Sequence, residues 1–322
     1  MLEPLHGGTD AGPVPRYDFS TNANALGPNP QVLESLGRAD PAHYPDPAYT
    51  FLREQLAAYH HATPEEVVVG AGASELILRL VRAYRGPVLV LNPTFSEYAR
   101  CARAEGEEVL EAHSPDEFIS LLPKAKLAFL CSPNNPTGEV WPLGFLESVA
   151  GRTRLVLDLA YAPLSEQPVP VPAGAILLFA PNKAHGVTGL RAAYALLPGP
   201  DPRLRHLAPS WVLDIFGEAF LGAILTPGAQ AWLDRARPAL WAWRQRLASD
   251  LRQLGFEVRE SAANFLLVQV GEAAELAAAL RVRGIRVRDC ASFGLPRWLR
   301  LSAQPSKARK ALLSALLEVR GG

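Results

Sequence analysis

The sequence predicts an α/β fold: a mostly parallel sheet with helices on both faces, joined to a smaller α+β unit. Three observations predict it. Short apolar runs alternate with amphipathic segments from about residue 67 to residue 197, the pattern of strands buried on both faces between helices. Turns rich in Gly, Pro and Asn follow those runs and carry reactive side chains. Beyond Pro198 the alternation gives way to long helical stretches and then to closely spaced strands.

Residues 1 to about 28 read as an irregular arm rich in Gly, Pro and Asn. Asn29-Pro30 then opens a short helix to about Gly37, and Asp46-Pro47 opens another over Ala48–His60. Strands are expected at Val67–Val69, Val88–Leu91, Val109–Leu110, Lys126–Cys131, Leu155–Leu159, Ala175–Phe179 and Ala192–Leu197. Between them lie helices at Glu75–Tyr84, Thr94–Ala104, Pro115–Leu122 and Leu143–Ala150. Helices over Pro209–Leu225 and Gly228–Leu254 follow, with Trp211, Trp232, Trp241 and Trp243 as packing residues. The last part holds strands at Phe256–Val258, Phe265–Val270, Ile285–Asp289 and Trp298–Ser302, and helices at Glu272–Arg283 and Ser306–Val319. The expected division is an arm with part of the small domain at 1–40, a large domain at 41–205 and a small domain at 206–322.

At 322 residues, 48% hydrophobic and 20% charged, the chain has the composition of a globular protein with ample core. The formal net charge is zero and no basic patch stands out, which argues against nucleic acid as a partner. Cys101, Cys131 and Cys290 have neither metal-ligand spacing nor a disulfide framework, so a reducing cytoplasm is expected and no metal. The first residues lack the charged start and apolar run of a signal peptide, and no apolar run is long enough for a membrane span.

Chemistry gathers at the strand ends. Lys183 follows the run Ala175–Phe179 after a Pro-Asn break, and the other lysines, Lys124, Lys126, Lys307 and Lys310, lie in polar or helix-flanking settings. A desolvated lysine loses its proton, as arginine does not, and the neutral amine attacks carbonyls. The bland alternative is a strand-end lysine reaching for solvent. Gly70-Ala-Gly-Ala-Ser74 links a strand to a helix, so its backbone N–H groups can meet a phosphate. Ser132-Pro-Asn-Asn-Pro-Thr-Gly138 fixes an amide side chain at a strand end. Asp158 closes an apolar strand, where a carboxylate needs a cation or donor, and Tyr161 follows it. A phosphate anchor, an Asn, an Asp, a Tyr, a Lys and an Arg, here Arg191, form the set that pyridoxal 5'-phosphate requires.

Taken together the chain resembles the fold-type I pyridoxal-phosphate enzymes of the histidinol-phosphate aminotransferase and threonine-phosphate decarboxylase group, in the class I/II aminotransferase family. The motifs occur in family order over nearly the whole chain: Tyr44-Pro-Asp-Pro47, Gly72-Ala-Ser-Glu75, the Ser132–Gly138 run, Asp158-x-x-Tyr161, Lys183 and Arg191. The resemblance implies that Lys183 forms a Schiff base with the cofactor and that Asp158 meets its ring nitrogen. Asn135 and Tyr161 would hold the ring oxygen, and Phe95 would stack on the ring. Ala73, Ser74, Asn182 and Arg191 would hold the phosphate. Tyr44 would reach the phosphate bound by a partner subunit, which implies a homodimer with shared sites. Arg288 and Arg300 would grip the substrate carboxylate. Asn182 and Ala180 stand where the group usually has hydroxyls, so the phosphate cup is either weaker there or filled by the Asn182 amide and His185.

Two stretches favour the decarboxylase: His6-Gly-Gly8 with Asp18-Phe-Ser-Thr-Asn-Ala-Asn-Ala-Leu-Gly27, and Arg288-Asp-Cys-Ala-Ser-Phe-Gly-Leu-Pro296. The resemblance then implies a lyase of cobalamin biosynthesis that releases carbon dioxide from L-threonine O-3-phosphate, with His6, Gly7 and Asn22 on the substrate phosphate. The alternative is a histidinol-phosphate or related aminotransferase working with glutamate and 2-oxoglutarate. Either way the substrate is a phosphorylated amino acid or amino alcohol. Two rivals remain: a nucleotide-binding module using the Gly70 loop, and a homologue without activity.

Overall fold

The computed structural model describes Gly8 and residues 11–321. From the N-terminus it runs through β1 (Tyr17–Asp18), α1 (Pro30–Arg38), α2 (Thr50–His60), β2 (Val67–Gly70), α3 (Ala73–Ala83), β3 (Val88–Leu91), α4 (Glu97–Ala104) and β4 (Val109–Ala112). Next come α5 (Pro115–Leu121), β5 (Leu127–Cys131), α6 (Leu143–Ala150), β6 (Arg154–Asp158), β7 (Ile176–Phe179), β8 (Ala193–Leu196), α7 (Pro202–His206) and α8 (Ile215–Ala223). The last third holds α9 (Pro227–Gln253), β9 (Val258–Glu260), β10 (Phe265–Gln269), α10 (Ala273–Val282), β11 (Ile285–Arg286), β12 (Arg288–Cys290), β13 (Leu295–Ser302) and α11 (Ser306–Gly321). Among the described residues no helix is long and apolar enough to cross a membrane.

The large sheet has the order β2-β8-β7-β6-β5-β3-β4. Its pairs β3–β4, β3–β5, β5–β6 and β6–β7 are parallel, while β8 runs antiparallel to both β7 and β2. The reversal of β8 matters for the site. Arg191, just before β8, lies at the same edge of the sheet as the carboxyl ends of β2, β5, β6 and β7. The smaller sheet, β12-β13-β10-β9, is antiparallel, and β1 pairs separately with β11.

The buried residues among those described form five clusters, and those of the large sheet and of the small unit do not part at residue 206. Phe220, Leu221 and Ile224, in and just after α8, share a cluster with Val67, Val69 and Tyr194 of the large sheet. Helix α9 serves both cores: Leu233 and Leu240 pack with the sheet, whereas Leu247, Ala248 and Leu251 pack with Phe19, Leu266 and Leu299 of the small unit. The change of texture at Pro198 marks a change of element length, and the core changes later, within α9.

Other expectations shift as well. Helix α2 starts at Thr50 rather than Ala48, because Tyr49 adopts a left-handed conformation (φ 49°) that seats its hydroxyl between Leu213 O at 2.8 Å and Leu213 N at 2.9 Å. Asp46 still caps from further out, accepting from Thr50 N at 2.8 Å. The helix expected from Pro209 begins at Ile215, where Asp214 caps Gly217 N. Trp211 before it is half-exposed and stacks on Tyr44 instead of packing in a core. The strand expected over Ile285–Asp289 is split between two sheets, and the arm contributes the short strand β1.

Candidate active site

A cavity of about 500 Å³ opens at the carboxyl edge of the large sheet, against the small unit and the arm. Parallel-sheet enzymes gather ligands at this edge. Asp158, Tyr161, Asn135 and Lys183 line it, as do Ala73, Ser74, Phe95, Asn182 and Arg191. From the other side come Asn22, Arg288 and Arg300.

Asp158 is the last residue of β6, 2% exposed. Its Oδ2 accepts from the Tyr98 hydroxyl at 2.7 Å and its Oδ1 from Ala160 N at 2.9 Å. Burial raises its carboxyl above the usual range, against the pull of Tyr98, Ala160 and the Lys183 charge. Lys183 and Asp158 thus share one field, and Lys183 Nζ stands 4.7 Å from the centroid of the Tyr161 ring. Cys131, at the tip of β5, donates to Pro133 O at 3.2 Å; burial first, and Asp158 second, push its thiol up, so it adds no charge.

The two asparagines of the Ser132–Gly138 run divide their work. Asn134 is consumed by structure: it accepts from Thr94 Oγ1 and donates to Pro93 O and Thr137 Oγ1, each at 2.9 Å. Asn135 faces the cavity, and its Oδ1 accepts from Arg300 Nη1. Arg300 and Arg288 are cross-strand partners in β13 and β12, which places both side chains on one face. They are 5% and 6% exposed. Arg300 Nη2 donates to Ser20 O at 2.7 Å, and Arg288 Nη2 to Ser292 Oγ at 2.6 Å. Burial, then the neighbouring Arg300, lowers the Arg288 guanidinium below its ordinary value.

The features suited to a phosphate lie at the start of α3. Gly72 precedes it with φ 90° and no side-chain cap, so the N–H groups of the first turn remain available. A Cβ on Gly72 would stand 2.8 Å from Arg191 Nη2, which shows how closely the guanidinium crosses that loop. These features fit pyridoxal 5'-phosphate. The uncapped helix start and Arg191 match an anion, and the buried, hydrogen-bonded Asp158 matches a cationic ring nitrogen. Asn182 Oδ1, buried without a partner among the described residues, leaves polar capacity on the same loop.

Some expected residues stand elsewhere. His185 does not fill the phosphate cup: it lies outside the cavity lining, its Nδ1 facing Asn29 Nδ2 at 3.0 Å. Thr188, which sequence reading passed over, brings a hydroxyl to the lining between Lys183 and Arg191. Tyr44 is 79% exposed and outside the cavity. Asn22 lines the cavity but spends its amide on the Tyr161 hydroxyl at 3.3 Å. His6 and Gly7 lie outside the described residues. Sequence reading also passed over Tyr98, three residues after Phe95 on the helix expected at Thr94–Ala104. Asp18, Ser20 and Thr21 line the substrate side, with Ser20 Oγ donating to Asp18 at 2.7 Å.

The sequence profile of the family "Aminotransferase class I and II" matches residues 17–316. The Archaeoglobus fulgidus protein "Histidinol-phosphate aminotransferase 1" is 32% identical over 328 residues, covering 94% of this chain and 99% of its own. The Rhodospirillum rubrum histidinol-phosphate aminotransferase is 33% identical over 329 residues, covering 92% and 88%. The crystal structure of histidinol-phosphate aminotransferase from Sinorhizobium meliloti in complex with pyridoxal-5'-phosphate superposes with a TM-score of 0.85 at 25% identity, covering 95% of this chain and 90% of that one. L-threonine-O-3-phosphate decarboxylase from Porphyromonas gingivalis superposes with a TM-score of 0.83 over 95% of this chain and 100% of that one; at 23% identity it shares the fold alone. The expected decarboxylation is therefore overturned. The two stretches that favoured it are short, whereas the aminotransferase relatives match at higher identity over nearly the whole length. By a profile that spans almost the entire chain, and by a site suited to its cofactor, this protein belongs to the class I and II aminotransferases, enzymes dependent on pyridoxal 5'-phosphate.

Proposed function

We propose that the enzyme transfers the amino group of histidinol phosphate, an amino alcohol bearing a phosphate ester, to 2-oxoglutarate. The names of relatives at 32–33% identity support this reading. The observation that carries it in this molecule is the charge of the cavity. Lys183, Arg191, Arg288 and Arg300 line it against two carboxylates, Asp18 and Asp158. One phosphate, on the cofactor, accounts for Arg191. The buried pair Arg288 and Arg300 remains for a second anion: the phosphate of the amino donor in one half of the reaction, a carboxylate of the oxo acid in the other.

In this reading Ala73, Ser74 and Arg191 hold the cofactor phosphate, Asn135 and Tyr161 its ring oxygen, and Phe95 its face. When bound, pyridoxal 5'-phosphate supplies an electron sink for the pair released at the substrate's α-carbon. Asp158 keeps a proton on the ring nitrogen, because a buried carboxylate is stabilised by a cation beside it. Lys183 would hold the cofactor until the substrate's amine arrives. Its amino group would then carry the proton that leaves the substrate's α-carbon, as general base and then acid. Arg288 and Arg300 fix the anionic end, so the Cα–H faces that amine. We also place the enzyme as a homodimer in which Tyr44 of the partner subunit completes the phosphate cup. Its exposure and its stack on Trp211 at 4.6 Å suit a residue presented outward.

The test is direct. Purified, cofactor-loaded protein incubated with histidinol phosphate and 2-oxoglutarate should form glutamate, and no product without the oxo acid. Equal turnover of histidinol lacking the phosphate would remove the assignment of the arginine pair.

A further inference from the structure

One buried side chain outside the cavity lining touches two that belong to it. Tyr98 sits on α4, fully buried, with its ring flat on Phe129 (centroids 4.8 Å apart, planes at 9°). The Phe95 ring meets it edge-on at 5.6 Å and 84°. Phe129 lies on β5, which is bonded to β6, the strand that ends in Asp158. The phenol is therefore fixed by a strand neighbouring the one that carries its partner. Its single hydroxyl hydrogen goes to Asp158 Oδ2 at 2.7 Å.

Asp158 then has two donors, one for each oxygen: Tyr98 on Oδ2 and Ala160 N–H on Oδ1. Only the first depends on a side chain. Donors to the charged form favour it, while burial favours the neutral acid. Burial also raises the Tyr98 phenol well above its ordinary value, so this group remains a donor and does not become a second anion. Without the hydroxyl, Oδ2 would lose its side-chain donor, and burial would push Asp158 further toward the neutral acid.

We infer that Tyr98 is a positioning residue for the transamination: it keeps Asp158 ionised and aimed at the cofactor's ring nitrogen, while its ring backs Phe95. This rests on the cofactor and not on the identity of the amino donor, so it stands or falls separately from the histidinol-phosphate reading.

The test uses the full-length protein stripped of cofactor and titrated with two ligands, read by absorbance. One is pyridoxal 5'-phosphate; the other is its 1-deaza analogue, in which C–H replaces the ring nitrogen. Tyr98→Phe keeps the stacked ring and removes only the hydroxyl. Its affinity for pyridoxal 5'-phosphate should fall about ten-fold, the range for a hydrogen bond to a charged group. Its affinity for the deaza analogue should stay within about two-fold of the parent protein, since no ring nitrogen is there to be met. Asp158→Asn should show the same selectivity, with a larger loss. An equal loss for both ligands would reduce Tyr98 to a packing residue. No loss for either would show that Asp158 holds its charge without help. Each of those results overturns the proposal.

Discussion

The two halves of the cavity are built in opposite senses. On the cofactor side the functional groups hang from one sheet, at the tips of β2, β5, β6 and β7 and at the start of β8. Its deeply buried charge is a carboxylate, Asp158. On the substrate side, β12, β13 and the arm supply the groups, and the buried charges are the guanidiniums Arg288 and Arg300. Arg300 donates to neutral oxygens, Asn135 Oδ1 and Ser20 O. A buried ion with neutral partners costs less when a counter-ion arrives. The buried charge of the cofactor half thus suits the cationic end of its ligand, with Arg191 left for the phosphate end, and the buried charges of the substrate half suit an anion. Asn135, touching Arg300 from the cofactor side, joins the two.

The comparison breaks first at Lys183. Lys183→Ala should lower transamination by about 10,000-fold or more, since it removes the group that exchanges with the amine and the base that moves the proton. Borohydride treatment of the loaded parent protein should leave a mass adduct on residue 183. An adduct elsewhere would sink the assignment. Asp158→Asn comes next, with an expected loss in kcat of about 1,000-fold, the scale for leaving a buried charge without its partner. Arg300→Lys should act on the other half. A point charge replaces the fork, and the KM for 2-oxoglutarate should rise about 30-fold. Cofactor affinity should hardly move. Were the Arg300 change to weaken cofactor and oxo acid alike, the two halves would not be separable.

The same division explains what was legible in the sequence. Lys183, Asp158, Asn135 and the Gly70 loop each follow an apolar run, so strand and site are read from one stretch of chain. Sheet order was not readable, because β8 inserts between β2 and β7 by a pairing that no local pattern encodes. Arg288 and Arg300 were found by resemblance, and only the register between β12 and β13 shows that they share a face. Nothing in the sequence separates Tyr98 from a core aromatic, because its working part is one hydroxyl. His185 was a candidate for the hydroxyls that Asn182 and Ala180 replace, but the turn after Lys183 points it away.

That turn carries the smallest effect, and it lies where the halves are sewn together. The arm binds the lysine loop through Asn24 N to Lys183 O at 2.8 Å, Asn24 Nδ2 to Ala184 O at 3.0 Å and Asn29 N to His185 O at 2.9 Å. Gly186 packs so tightly on Gly27 that a Cβ would fall 2.3 Å from its carbonyl oxygen. His185 is buried in this seam, and burial lowers its imidazole from 6.5 to about 4. Asn29 Nδ2, which also donates to Ala229 O at 3.0 Å, meets Nδ1 as a donor, so a protonated ring would set N–H against N–H. Above pH 6.5 the ring is neutral in folded and unfolded chains alike, and the shift contributes nothing. As pH falls from 6.5 toward about 4, the unfolded chain takes up a proton that the folded chain refuses, and stability is lost. The limit is about 3 kcal/mol. His185→Gln removes that titration. Thermal melts of the two proteins should therefore converge as pH drops from 7 to 4.5, the parent losing more of its Tm. Parallel curves would mean that folded and unfolded chains take up that proton at the same pH, so that neither burial nor Asn29 excludes it.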